Sequence, residues 1–91
     1  MLLKKFRKEI DKIDQKLISL LTKRANVAKE VGKFKKENNM NIYQQGREGE
    51  IKIKLKKYSE KSGLSYSFLS KLWDEIMSEA IRLQEKVFEE E

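Results

Sequence analysis

The sequence predicts an all-α chain of three helices, the first of them too long for a compact monomer. Apolar residues return at steps of three and four along nearly its whole length, and no Pro and only four Gly interrupt them. Turn chemistry is confined to two stretches, ENNMN at 37–41 and KSGLS at 61–65.

The first helix is expected from about Leu3 to about Glu37. Its stripe runs Leu3, Phe6, Ile10, Ile13, Leu17, Leu20, Arg24, Val27, Val31 and Phe34. Roughly thirty-five residues at 1.5 Å each make a rod of about 50 Å. A compact chain of this length has a radius of gyration of only about 12 Å, so the rod requires a partner. The second helix, from Gln45 or Arg47 to Lys61, should turn Ile51, Leu55 and Tyr58 inward and leave Lys52, Lys54, Lys56 and Lys57 as a solvated face. Gly63 suits the position after a helix, and Ser65 suits an N-cap. A third helix should follow from about Tyr66 to Glu89 and bury Leu69, Leu72, Trp73, Ile76, Ala80, Leu83 and Val87.

Composition bounds the rest. Residues 1–91 should form one domain, and 38% hydrophobic against 40% charged residues is thin for a self-sufficient core, which favours association. There is no Cys and no His, so disulfides and the commonest general base and metal ligand are missing, and no metal centre is expected. The start, MLLKKFRKEID, lacks the apolar run of a signal peptide and nothing approaches a membrane span, which makes a cytoplasmic chain the expectation. The net charge of +6 permits an anionic partner.

Seventeen of the 21 basic residues are Lys; the four Arg are Arg7, Arg24, Arg47 and Arg82. In so Lys-rich a chain each Arg is a candidate for a place where a planar, bidentate fork matters. Displaced by one position, the first helix's seam becomes Leu3, Arg7, Ile10, Asp14, Leu17, Leu21, Arg24, Ala28, Val31 and Lys35. Glu48 falls three and seven residues before Ile51 and Leu55, and Gln84 four and eight after Ala80 and Ile76, so both face inward. A seam charge without a partner costs several kcal/mol, because it loses water and gains nothing. Seam charges also snorkel or pair with one another, and that structural role is the one expected of Asp14. Taken together, Arg, Arg, Lys, Glu and Gln on inward faces suit a small polyanion, whereas Arg82 belongs at the surface. Arg7 and Arg24 lie about 25 Å apart along one axis, so one small ligand meets both only if one of them comes from a second, antiparallel chain.

The segments FRKEIDKID, LLTKRANVAKEVGKFK, YQQGREGEI and GLSYSFLSKLWDEIMSEAIRLQ resemble the all-helical chorismate mutases, over about Phe6 to Gln84. The shared pattern is an Arg seven residues before an Asp, then Arg, Gly and Lys at set spacing, an Arg–Glu pair after a loop, and a Gln on a late helix. The resemblance implies a stand-alone chorismate mutase that needs no cofactor and forms an intertwined helical homodimer with two equivalent sites. It implies that Arg24 and the partner's Arg7 grip the substrate's two carboxylates. Lys35 would reach the ether oxygen and one carboxylate, Arg47 would add a basic group, Glu48 would accept from the ring hydroxyl, and Gln84 would donate to the ether oxygen. Lys35, Gln84 and Arg24 are then catalytic, with Arg7, Arg47, Glu48 and Gln44 completing the binding set.

Three departures accompany the match. Gln44 stands where the family commonly has Asp, Gly46 and Gly49 flank the Arg–Glu pair and weaken a helix start, and Ala80 replaces a Ser found in some members. The implied reaction is an intramolecular rearrangement that transfers no proton, so the missing His and Cys are no handicap. Two other readings compete. Isochorismate pyruvate-lyase resembles this fold but carries an apolar residue where Glu48 stands. A basic helical module for nucleic acid or a partner helix rests on net charge alone and needs its Arg residues on exposed faces. The resemblance implies neither nucleic acid nor membrane as partner.

Overall fold

A computed structural model describes residues 1–90. They form α1 (Leu2–Glu37), α2 (Arg47–Ser62) and α3 (Tyr66–Glu89), with no strand among them. Lys35 and Lys36 occupy the last turn of α1, where cations complement the helix dipole. The Asn38 side chain closes the end, its Nδ2 donating to the Phe34 carbonyl at 2.8 Å. Gly46 precedes α2 at φ 87°, in the left-handed region that is unfavourable for a residue with a Cβ. The glycine expected to weaken the helix start therefore makes the turn into it. Gly63, at φ 78°, ends α2, and the Ser65 Oγ accepts from the Phe68 N–H at 3.1 Å to cap α3.

α3 packs on α1 and on α2, which do not pack on each other. α2 and α3 form an antiparallel hairpin around Ile51, Leu55, Leu69 and Met77, with Trp73 against that cluster. α3 runs in the same direction as α1: Gly32 lies beside Gln84, and one turn on Lys36 donates to the carbonyls of Val87 and Glu90. The gap between α1 and α2, floored by α3, is where a cavity can form.

Three expectations about inward faces need correction. Tyr58 is 56% exposed, because α2 meets α3 along the ridge Ile51, Leu55, Ser59 rather than along the row that ends at 58. Lys52 leaves the solvated face; its Nζ bonds Asp74 Oδ1 at 2.6 Å and Ser70 Oγ at 2.5 Å, tying the hairpin together. Leu72 stays 40% exposed because it borders an open groove instead of the core. Arg82 is at the surface as expected, bidentate with Glu79. Asp14 makes no ion pair among the described residues.

The molecule measures 56 × 28 × 15 Å with a radius of gyration of 16.6 Å, well above the compact value. Leu3, Phe6, Ile10, Ile13, Leu17, Leu20 and Leu21 of α1 remain between 41% and 60% exposed, since α3 reaches only the later half of that helix. Total accessible surface is 7730 Å², against about 5500 Å² for a compact monomer of this mass. A second groove of about 450 Å³, bordered by Ile18, Leu21, Leu72, Ile76 and Leu83, continues the uncovered apolar face. No described helix is long and apolar enough to cross a membrane.

Candidate active site

A cavity of about 470 Å³ opens between α1, the loop 38–46, α2 and α3. The size is that of a small-molecule site. Arg24 and Lys35 enter from α1, Gln44 from the loop, Arg47 and Glu48 from the first turn of α2, and Gln84 from α3. Val27, Val31, Ile51, Met77, Ala80 and Ile81 supply apolar wall. Six of the seven residues singled out from the sequence thus converge on one space. Arg7 does not: it is exposed on the stretch of α1 that α3 leaves bare.

Lys35 is the hub. Its Nζ donates to the Ile42 carbonyl at 2.5 Å and to Gln84 Oε1 at 2.8 Å. An ammonium has three hydrogens, so one remains for a ligand. Because lysine can only donate, the Gln84 amide must turn its oxygen to Lys35, and its NH₂ is left as a donor. Gln84 is buried, with only 7% of its surface accessible, which restricts where that donor can point. Burial, and then the positive charge of Arg47, hold the Lys35 ammonium below the ordinary lysine value of 10.5.

Around this hub the charges are unbalanced. Arg24, Lys35 and Arg47 face a single lining carboxylate, Glu48, which leaves two positive charges of the cavity uncompensated (three minus one). Arg47 is held loosely by Glu50 at 3.3 Å across an exposed pair, which is worth little in water. Gln44 folds back on its own loop, with Nε2 donating to the Asn41 carbonyl at 2.6 Å. A greasy-walled pocket with surplus positive charge is chemically suited to a compact anion.

Some wall residues were not singled out from the sequence. Met77, Ile81 and Gln84 stand at i, i+4 and i+7, a helical signal that would have put the first two beside the glutamine. Ile42 and Tyr43 come from the loop, where no periodicity marks a facing residue.

Residues 6–85 match the family model for chorismate mutase type II. The chain belongs to that family. Type II chorismate mutases are isomerases, and two of the relatives below carry a mutase activity in their names. The chain is 34% identical over 88 residues to a bifunctional chorismate mutase/prephenate dehydratase of Aquifex aeolicus, covering 93% of this chain and 24% of the relative. It is 28% identical over 89 residues to a 4-amino-4-deoxychorismate mutase of Streptomyces venezuelae, covering 98% and 86%. A T-protein of Haemophilus influenzae is 33% identical over 78 residues, 86% of this chain and 21% of the relative. This type II mutase chain therefore spans about a quarter of the bifunctional relatives and most of the 4-amino-4-deoxychorismate mutase. No solved structure matches it.

Proposed function

We propose that the chain rearranges chorismate to prephenate, a step toward phenylalanine and tyrosine, in the cavity between α1, α2 and α3. The observation that carries this reading is the Lys35–Gln84 pair set among surplus cations in an apolar pocket. In the reaction one C–O ether bond breaks while a C–C bond forms between the enolpyruvyl methylene and the ring, so nothing enters or leaves. The protein must hold the extended side chain folded over the ring and stabilise charge on the departing oxygen. Fixed cations on both carboxylates do the first, an orientation effect. Arg24 and the partner's Arg7 would supply that grip, with Arg47 adding a further cation at the cavity. The spare hydrogen of Lys35 and the NH₂ of Gln84 do the second, since both bonds strengthen as negative charge develops on the ether oxygen. Glu48 accepts from the ring hydroxyl.

The partner in this reading is a second copy of the chain. The bare half of α1 and the adjoining groove supply the apolar face, and the excess of accessible surface over a compact monomer, about 2000 Å², is the size of a stable interface. Antiparallel pairing of the two long helices would bring Arg7 of each to the other's cavity.

The test is direct. Purified protein given chorismate alone should yield prephenate, and parallel assays with isochorismate should yield no pyruvate. Turnover of isochorismate without turnover of chorismate would overturn the assignment. A second reading has support in the relative of matching length: a carboxylate at position 48 can accept from an ammonium as well as from a hydroxyl, so 4-amino-4-deoxychorismate belongs in the same assay.

A pH dependence follows from Lys35. Its ammonium is held below 10.5, so on raising the pH it loses its proton, and its charge on the ether oxygen, earlier than a free lysine would. The kcat/KM profile should fall on an alkaline limb centred below 10.5, and Lys35→Arg, whose guanidinium stays charged, should remove that limb at the expense of rate. Folding stability has the opposite sign. A lowered lysine opposes folding while both states are charged, and that penalty fades as the pH rises through the folded value toward 10.5.

A further inference from the structure

We propose that Gly32 is a positioning residue for Gln84, acting by letting α1 approach the backbone of α3 so closely that the Gln84 amide is locked onto Lys35. The inference rests on the mutase reading only for its kinetic consequences. A Cβ built on Gly32 would lie 3.1 Å from Gln84 Cγ, 3.2 Å from Gln84 Cα and 3.3 Å from Gln84 Cβ. All three contacts are tighter than ordinary van der Waals separation, and all three fall on the same residue. One of them is backbone, which cannot swing away as a side-chain end can. Gly32 has an ordinary helical conformation, so backbone freedom does not explain the glycine. Its neighbour across the interface does.

Geometry turns this contact into control of the site. Gly32 is three residues before Lys35 on α1, so the two lie on one face of the helix, and both meet Gln84. Gly32 abuts the stem of the glutamine while Lys35 takes its oxygen at 2.8 Å. The stem cannot move toward α1, and the amide is held at its tip. Both Gly32 and Gln84 are buried, so a stem displaced from α1 has only the cavity to move into. An added methyl must either push α3 away or rotate the stem, and each movement lengthens the Lys35–Gln84 bond and re-aims the NH₂. Gly49 offers the contrast, because a Cβ there meets nothing within 4 Å.

The experiment compares Gly32→Ala, Gln84→Ala and the double variant, with Gly49→Ala as control. In the free protein, the side-chain NH₂ resonances of Gln84, assigned by their loss in Gln84→Ala, should shift in Gly32→Ala and stay in place in Gly49→Ala. With chorismate, Gly32→Ala should lose kcat by about 10-fold or more while KM changes by less than about threefold, since the donor acts mainly in the transition state. The double variant, which has no amide left to displace, should be no slower than Gln84→Ala alone. Unshifted amide resonances would overturn the proposal whatever the activity. Equal losses in both backgrounds, or loss of helicity in Gly32→Ala with a double variant slower than Gln84→Ala, would make Gly32 a packing residue only. A wild-type chain inactive on chorismate would sink the mutase reading while leaving the resonance test to decide the contact.

Discussion

Lys35→Met chains should convert chorismate about 1000-fold more slowly than wild type by kcat/KM, with unchanged helix content. One preplaced donor to a developing oxyanion is worth about 10²–10³ in rate. Lys35 sits at the upper end of that range because it does two further things. It fastens the loop through the Ile42 carbonyl, and it fixes which way the Gln84 amide faces. Methionine matches the length of the stem, so packing against the wall survives while all three hydrogens are lost. Without Lys35, the Gln84 oxygen loses its donor and the amide is free to flip, so the second donor is degraded with the first. The two losses should therefore overlap: Lys35→Met combined with Gln84→Ala should be far less than the product of the single effects. Lys33→Met, which removes only an exposed ion pair with Glu30 at 3.4 Å, should leave the rate unchanged. A Lys35→Met rate within tenfold of wild type, measured by loss of chorismate absorbance, would remove this residue from the centre of the mechanism.

The sequence made the fold legible where local signals agree. α1 and α3 run where the three-and-four spacing runs, and the α2–α3 corner is marked by Gly63 through its positive φ and by Ser65 through the hydroxyl that caps α3. Two of the four seam charges, Arg24 and Lys35, were legible for a physical reason, whereas Arg7 and Asp14 stay exposed in the single chain. A charged group among apolar residues contradicts the pattern around it, and Arg24 and Lys35 stand half-buried at the cavity as that contradiction suggested. What stayed hidden depended on neighbours. Tyr58 and Ser59 are equally good continuations of the Ile51–Leu55 stripe, and only the crossing of α3 selects the second. Lys52 belonged to a run that looked solvated until α3 placed Asp74 and Ser70 within reach. Gly46 was misjudged because propensity counts glycine as a loss inside a helix, whereas its residue stands just before the helix at positive φ. The close approach at Gly32 is a distance between two helices, and no spacing within either one encodes it.

Arg7→Ala and Arg24→Ala chains, each at least 100-fold impaired alone, should recover activity when mixed and allowed to exchange subunits. The expectation comes from the mismatch between where Arg7 lies and where its charge is wanted. Arg7 is about 25 Å along α1 from Arg24, exposed, and absent from the cavity that Arg24 lines. Within one chain the two cannot touch one small dianion. In a twofold dimer with the long helices antiparallel, each cavity would use its own Arg24 and the partner's Arg7. A heterodimer of the two variants then contains one site with both arginines and one with neither. Random exchange makes half the dimers mixed, so the pool should reach about a quarter of wild-type activity. Neither variant should unfold, because neither guanidinium has an ion-pair partner among the described residues, so removing it leaves no buried charge unpaired. Light scattering on the wild type should give the mass of two chains. If scattering finds a monomer, or if verified heterodimers stay as slow as the parents, then Arg7 serves no neighbouring site and the apolar half of α1 must be covered by something other than its own copy.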